Sequence, residues 1–167
     1  MKIDIINTRI TDFKGDMIIV NLFEGVRRPG GATGSVDKAL NGMITELIKK
    51  GELTGKLGET LTIHTFKKIK ADKVLIVGLG KQDDFDIDQI RKAAALAIKS
   101  SGKVSAKKIA TIVHGAGIGG IEPDQAAQAL IEGTLLALYE FCKYKESVKK
   151  HITHFSVAEI DRKRLPV

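Results

Sequence analysis

The sequence predicts an α/β fold, a mixed and mostly parallel sheet with helices on both faces. Three observations carry this expectation. Apolar runs of strand length recur at residues 17–20, 74–77 and 109–113, the pattern of strands covered on both sides. Segments with apolar residues at helical spacing lie between them. Strands and helices also alternate along the chain, which places successive strands side by side in parallel.

The elements follow in order. Residues 2–7 alternate apolar and polar side chains, as a half-exposed strand does, and Met17-Ile18-Ile19-Val20 begins a covered one. Val36, Leu40, Met43, Ile44, Leu47 and Ile48 form one stripe of a first helix, stopped by Gly51. Residues 60–64 alternate cleanly, so one face of that strand is expected to be wet or covered only by a loop. The run 74–77 is stopped by Gly78. A second helix opens with Asp86 and Gln89 in a capping-box-like spacing, buries Ile87, Ile90, Ala94, Ala97 and Ile98, and ends at Gly102. The strand 109–113 is stopped by His114-Gly115.

A third helix starts near Pro123, a favourable first-turn residue, and is expected to reach about Lys143 as the longest element. It carries two apolar stripes. One is Ala126, Ala129, Leu130, Gly133, Leu136, Ala137 and Phe141; the other is Ala127, Ile131, Leu135, Leu138 and Cys142. Two stripes imply a cover beyond the sheet. Gly133 in mid-helix implies close approach of another backbone. Residues 154–157 form a last strand.

The chain has 167 residues, enough for one domain with its own core. A single cysteine, Cys142, excludes a disulfide framework and points to a reducing, cytoplasmic setting. Met1-Lys2-Ile3-Asp4 brings an acid before any long apolar run and is not read as a signal peptide. The most apolar stretch, 126–142, is interrupted by Gln128, Glu132 and Glu140, so no membrane span is expected. The net charge is +7. The lysines fall in scattered pairs without an arginine-rich block, which reads as a solvated surface rather than a nucleic-acid site.

Glycine-rich loops are the candidates for a binding site. Gly115-Ala116-Gly117-Ile118-Gly119-Gly120 contains G-x-G-x-x-G between a strand and a helix. No complete second βαβ half follows, and no acid stands at a strand end about twenty residues on, so a dinucleotide site is not the reading. Pro29-Gly30-Gly31-Ala32-Thr33-Gly34-Ser35 precedes the first helix. Backbone amides of two such loops can converge on an anion in one crevice; tight turns explain the glycines equally well and are preferred. Asp84, Asp86 and Asp88 lack the glycine and glutamate of a calcium loop and fit a helix start. His151 and His154 have no further metal ligands placed by a motif. G-x-S-x-G, H-E-x-x-H and Walker sequences are absent, so neither catalytic nor metal-binding residues are assigned.

Asp37-Lys38-Ala39-Leu40-Asn41-Gly42, the stretch Gly55-Lys56-Leu57-Gly58-Glu59-Thr60, and 73–81 followed by Ile90-Arg91-Lys92-Ala93-Ala94 resemble the N-terminal domain of leucyl (cytosol) aminopeptidases. So do residues 126–133 and 138–145. The resemblance implies a macro-domain-like fold over residues 1–158, with 159–167 a tail or the start of a linker. It further implies a non-catalytic accessory role that supports assembly, the partners being a C-terminal peptidase domain and sister subunits of a cytoplasmic hexamer. Two divalent ions, zinc or manganese, would belong to the peptidase domain; no cofactor is assigned to this chain. Gly15-Asp16-Met17-Ile18-Ile19-Val20-Asn21 with Gly30, Gly31, Gly34, Ser35, Val36 and Asp37 is similar, more distantly, to ADP-ribose-binding macro domains. That likeness implies the alternative, a stand-alone module in which Asn21, Gly30, Gly31, Gly34, Gly115, Gly117, Gly119 and Gly120 surround ADP-ribose or another phosphate-bearing ligand. Glu24 departs from the pattern where a second asparagine would hold the ribose.

Overall fold

The computed structural model describes residues 1–115, 120–139 and 152–161. Six strands form one sheet: β1 (Lys2–Ile6), β2 (Met17–Phe23), β3 (Thr60–His64), β4 (Lys73–Gly80), β5 (Lys108–Thr111) and β6 (His154–Ala158). Their spatial order is β1-β6-β5-β2-β4-β3. All neighbours are parallel except β3, which runs antiparallel to β4 on the outer edge. The helices are α1 (Gly31–Ala39), α2 (Met43–Lys49), α3 (Ile87–Lys103) and α4 (Pro123–Leu138), with a 3-10 turn at Ile10–Asp12. The mixed, mostly parallel α/β architecture is the expected one.

Strand periodicity sorts the core into two layers. Met17, Ile19, Leu75, Val77 and Ile109 pack beneath α3 and α4. Ile18, Val20, Val74, Ile76 and Ala110 pack beneath α1 and α2. The central strands are therefore apolar on both faces, which is why their sequences run without alternation. Edge strand β3 is half-buried along most of its length rather than divided into a wet and a dry face.

The first predicted helix is two. Asn41 and Gly42 adopt left-handed backbone, at φ 60° and 79°, and break it after Ala39. The apolar stripe survives the break, since Val36, Leu40 and Ile44 are all fully buried. Asp37 spans it: its carboxylate accepts from the Thr45 amide at 3.1 Å and from the Thr45 hydroxyl. The helix also starts earlier than the stripe implied, so Gly31–Gly34 form its first turn instead of a preceding loop.

Helix α3 begins as its sequence indicates, with the Asp86 carboxylate accepting from the Gln89 amide at 2.8 Å. At 17 residues it is longer than α4, which has 16 and closes at Leu138, short of the expected end. Phe141 and Cys142 lie outside the described residues. One stripe of α4 is buried through Ala126, Ala129, Leu130 and Gly133, whereas Ala127, Ile131 and Leu138 are only half-buried. Leu135 and Leu136 are 50% and 72% exposed, so each stripe loses its cover toward the helix end.

The expected close approach at Gly133 is present. A β-carbon there would collide with the carbonyl oxygen and Cα of Arg91 on α3. Across the same seam Arg91 Nε donates to Glu132 at 2.7 Å. Alanine is favoured over glycine in a helix by about 1 kcal/mol, yet overpacking a tight contact costs about 1–3 kcal/mol. Gly133→Ala should therefore destabilise the fold, with a urea midpoint below that of the parent sequence. A raised midpoint would show that the two helices yield freely.

Candidate functional site

Parallel strands end along one margin of the sheet, and the connections there enclose a cleft of about 1120 Å³. Its walls come from the β1 end (Thr8, Arg9), the first turn of α1 (Gly31, Ser35), the β5 end (Ile112) and the β6 end (Glu159). Lys38, in the last turn of α1, also lines it, so the cleft holds two exposed cations, Arg9 and Lys38, besides the start of that helix. Such a helix start presents unpaired amides and a positive dipole end.

The glycines predicted to line a ligand separate in their roles. Gly31 lines the cleft, and a β-carbon at Gly30 or Gly31 would meet open space. Gly34 is different, because a side chain there would strike the Pro29 carbonyl. Its smallness serves the tight entry into α1, where the Gly34 amide donates to the Gly30 carbonyl at 2.8 Å. Gly115 is buried with φ 70°, and a β-carbon would meet the ring of Phe85. Gly120 is exposed with φ 73°. Gly117 and Gly119 lie outside the described residues, as does His151. His154 is exposed, its Nδ1 3.0 Å from the Thr153 hydroxyl.

Asn21 does not line the cleft. Its carbonyl accepts from the Thr33 hydroxyl at 2.7 Å, which anchors α1 to the end of β2. Its side-chain amide lies 3.0 Å from Nδ1 of His114, which is wholly buried at the end of β5. With the Asn21 amide donating to Nδ1, the ring proton belongs on Nε2, directed at the Thr111 hydroxyl 3.4 Å away. That hydroxyl donates onward to the Ile112 carbonyl. The sequence marked His114 as a strand stop at the head of the glycine-rich loop 114–120, which resembles the macro-domain phosphate loop; its pairing with Asn21 requires β5 beside β2, which no local pattern displays.

Glu59 is a second residue whose role local sequence concealed. Its carboxylate accepts from the Thr54 and Gly55 amides at 2.9 and 2.6 Å, and its carbonyl accepts from the Gly78 amide at 2.8 Å. The 54–59 loop is thereby clamped over the ends of β2 and β4.

Burial lowers the His114 pKa from 6.5 to about 4. A proton on Nδ1 would also set two donors against each other at Asn21. Between pH 6.5 and 4 the unfolded chain binds a proton that the folded chain refuses, so stability falls as pH falls across that window. The shift corresponds to roughly 3 kcal/mol. In urea titrations at pH 7 and pH 4.5, the unmodified chain should lose about 2–3 kcal/mol more than His114→Gln. Equal losses would mean that His114 does not carry the acid sensitivity.

Comparison with known proteins places this geometry. Residues 19–147 match the family described as the cytosol aminopeptidase family, N-terminal domain. A probable cytosol aminopeptidase of Alkaliphilus oremlandii is 36% identical over 145 residues, covering 87% of this chain and 29% of that protein. The cytosol aminopeptidase of Pseudomonas aeruginosa is 30% identical over 139 residues, covering 83% of this chain and 28% of that protein. Among solved structures, a tomato leucine aminopeptidase superposes with a TM-score of 0.74 at 16% identity, over 96% of this chain and 33% of its own. The macrodomain of Mycobacterium tuberculosis DarG superposes with a TM-score of 0.70 at 13% identity, over 94% and 97%. Those two likenesses describe a shared macrodomain-like fold. By sequence, the chain belongs to the cytosol aminopeptidase family and corresponds to its N-terminal domain.

Proposed function

We propose that this chain serves as the non-catalytic accessory domain of a cytoplasmic metallo-aminopeptidase that releases N-terminal residues such as leucine from peptides. One observation carries the reading: most of the chain aligns with relatives named cytosol aminopeptidases, yet it spans only 29% of the length of one and 28% of another. The remainder of such a protein would supply a C-terminal peptidase domain with two zinc or manganese ions. Among the described residues, no group of three or more His, Cys, Asp or Glu side chains stands ready to hold a metal. The described residues thus offer no set that fits that centre, and no catalytic step is assigned to them. On this reading the accessory domain occupies residues 1–158, and 159–167 begin a tail or linker.

Support for an assembly role comes from the end of α4. Leu135, Leu136 and Tyr139 are 50%, 72% and 78% exposed. Covering a large apolar side chain contributes roughly 1.5–3 kcal/mol. The peptidase domain or a sister subunit of a hexamer would supply that cover.

The first test is activity. With manganese or zinc added, the 167-residue chain should release no p-nitroaniline from leucyl-p-nitroanilide beyond a metal-only blank. Clear turnover would defeat the accessory reading, which assigns the two-metal centre to the peptidase domain.

A second reading, a module for ADP-ribose or another phosphate-bearing ligand, is favoured by the cleft with Arg9, Lys38 and the start of α1. Against it stand the engagement of Asn21 by His114 and the internal cause of Gly34. Calorimetry with ADP-ribose should therefore give a flat titration. Micromolar binding abolished by Arg9→Glu would promote the module reading over the accessory one.

A further inference from the structure

The two edges of the sheet are unequally protected. Strand β3 is half-buried along most of its length, whereas β1 leaves Ile3 and Ile5 36% and 48% exposed. Among the described residues β1 has one neighbour, β6, in the parallel register Ile3–Phe155, Asp4–Ser156 and Ile5–Val157. Successive residues of a strand aim their amides and carbonyls at opposite edges. The Lys2 amide donates to the Thr153 carbonyl at 2.8 Å, and the Ile6 carbonyl accepts from the Glu159 amide at 3.0 Å, so the even-numbered residues face β6. The amides and carbonyls of Ile3 and Ile5 therefore point away from the sheet, as a template for one more strand.

The side chains of β1 divide by face. Ile3 and Ile5 share the α4 side of the sheet with Phe155 and Val157, and with Ala127 and Ile131 they line a hollow of about 480 Å³. Lys2 and Asp4 take the other side. There Lys2 Nζ lies 3.5 Å from Asp4 Oδ2, and the Ser156 hydroxyl donates to Asp4 Oδ1 at 2.6 Å. One face of the edge is thus apolar and in water, and the other carries a cation and an anion two residues apart.

We propose that β1 pairs antiparallel with β1 of a second copy of this chain, about a two-fold axis at Ile3, joining two sheets edge to edge. An isologous contact needs a patch that complements itself. An axis perpendicular to the sheet keeps the apolar faces of both copies on one side, and the outward backbone groups must lie opposite each other. Ile3 can then face Met1, Ile3, Ile5 or Asn7 of the copy. Facing Met1 sets Lys2 against Lys2, and facing Ile5 sets Asp4 against Asp4; like charges directly opposite repel. Facing Asn7 puts Lys2 and Asp4 opposite Thr8 and Ile6, with no charge of opposite sign. Ile3 facing Ile3 sets Lys2 against Asp4 on both sides of the axis. It also brings Ile5 against Met1, which is 45% exposed. Charge thus selects one register, and that register pairs apolar with apolar on the other face. The contact uses the edge of β1 rather than the end of α4, so its failure leaves the accessory reading as it stands.

The test is sedimentation equilibrium of the 167-residue chain. A monomer–dimer equilibrium is expected at about 10–100 µM, as suits a small interface. Ile3→Lys places two like charges at the axis and should leave only monomer, with an unchanged circular dichroism spectrum. Lys2→Glu and Asp4→Lys should each weaken dimerisation about tenfold. An equimolar mixture of those two variants should recover it, because opposite charges again face each other in the mixed pair. Should Asp4→Lys fail to fold for want of the Ser156 contact, Ile3→Lys and Lys2→Glu carry the test. A chain that stays monomeric throughout would overturn the proposal and leave the edge to another partner, such as a peptidase domain. Dimers that persist in Ile3→Lys would overturn it too, in favour of the exposed end of α4. So would unchanged affinity in Lys2→Glu, or a mixture of folded charge variants that remains monomeric.

Discussion

Strands β2 and β4 pair in parallel in the interior of the sheet, and their apolar side chains are withdrawn from water on both faces. A strand in that position cannot be stabilised by one layer of helices. Each face exposes alternate residues and needs its own cover. Helices α1 and α2 meet one set, α3 and α4 the other, and the remaining strands extend the sheet outward to half-exposed edges. Parallel neighbours also require long crossovers, which accounts for a helix between β4 and β5 and another between β5 and β6. The two-sided burial of these central strands therefore dictates the layering.

That dependence explains how much was legible in the sequence. The runs at Met17 and Val74, and the stripe of α3 with its Asp86 cap, are local signals and appear where expected. Periodicity misled where two helices share one stripe. Val36, Leu40 and Ile44 stay in phase across a break at Asn41 and Gly42, because the break turns the chain without removing its apolar side from the sheet. Burial of α4 was legible in its inner stripe and in Gly133, whose cause is a backbone contact. Its shorter length was not legible, since apolar residues continue past the observed end.

The candidate site was legible only as glycines and strand ends. Glycine reports that a side chain is unwelcome without reporting what would collide with it. At Gly31 the space beyond is the cleft; at Gly34 it is the protein's own Pro29 carbonyl. His114 and Asn21 are 93 residues apart and meet only because β5 lies beside β2.

The Asn21–His114 contact also bears on whether this strand end is free to hold a ligand. A side-chain amide at the end of a central strand is partly buried and needs a hydrogen-bond partner. A bound ligand is one possible partner; a fixed imidazole is another. In this chain the imidazole is wholly buried, kept neutral by its surroundings, and linked through Thr111 to the backbone of its own strand end. The amide is thus satisfied without any ligand, while the Asn21 carbonyl holds Thr33 and so the start of α1. Both groups of one residue stitch three elements together. To recruit Asn21, a ligand would have to replace the His114 contact and leave a buried ring nitrogen without its donor, a cost of about 1–3 kcal/mol before any binding is gained. The cleft keeps its volume and its cations, but Asn21, which the sequence put forward as a ligand-binding residue, does not line it and is already committed to the fold.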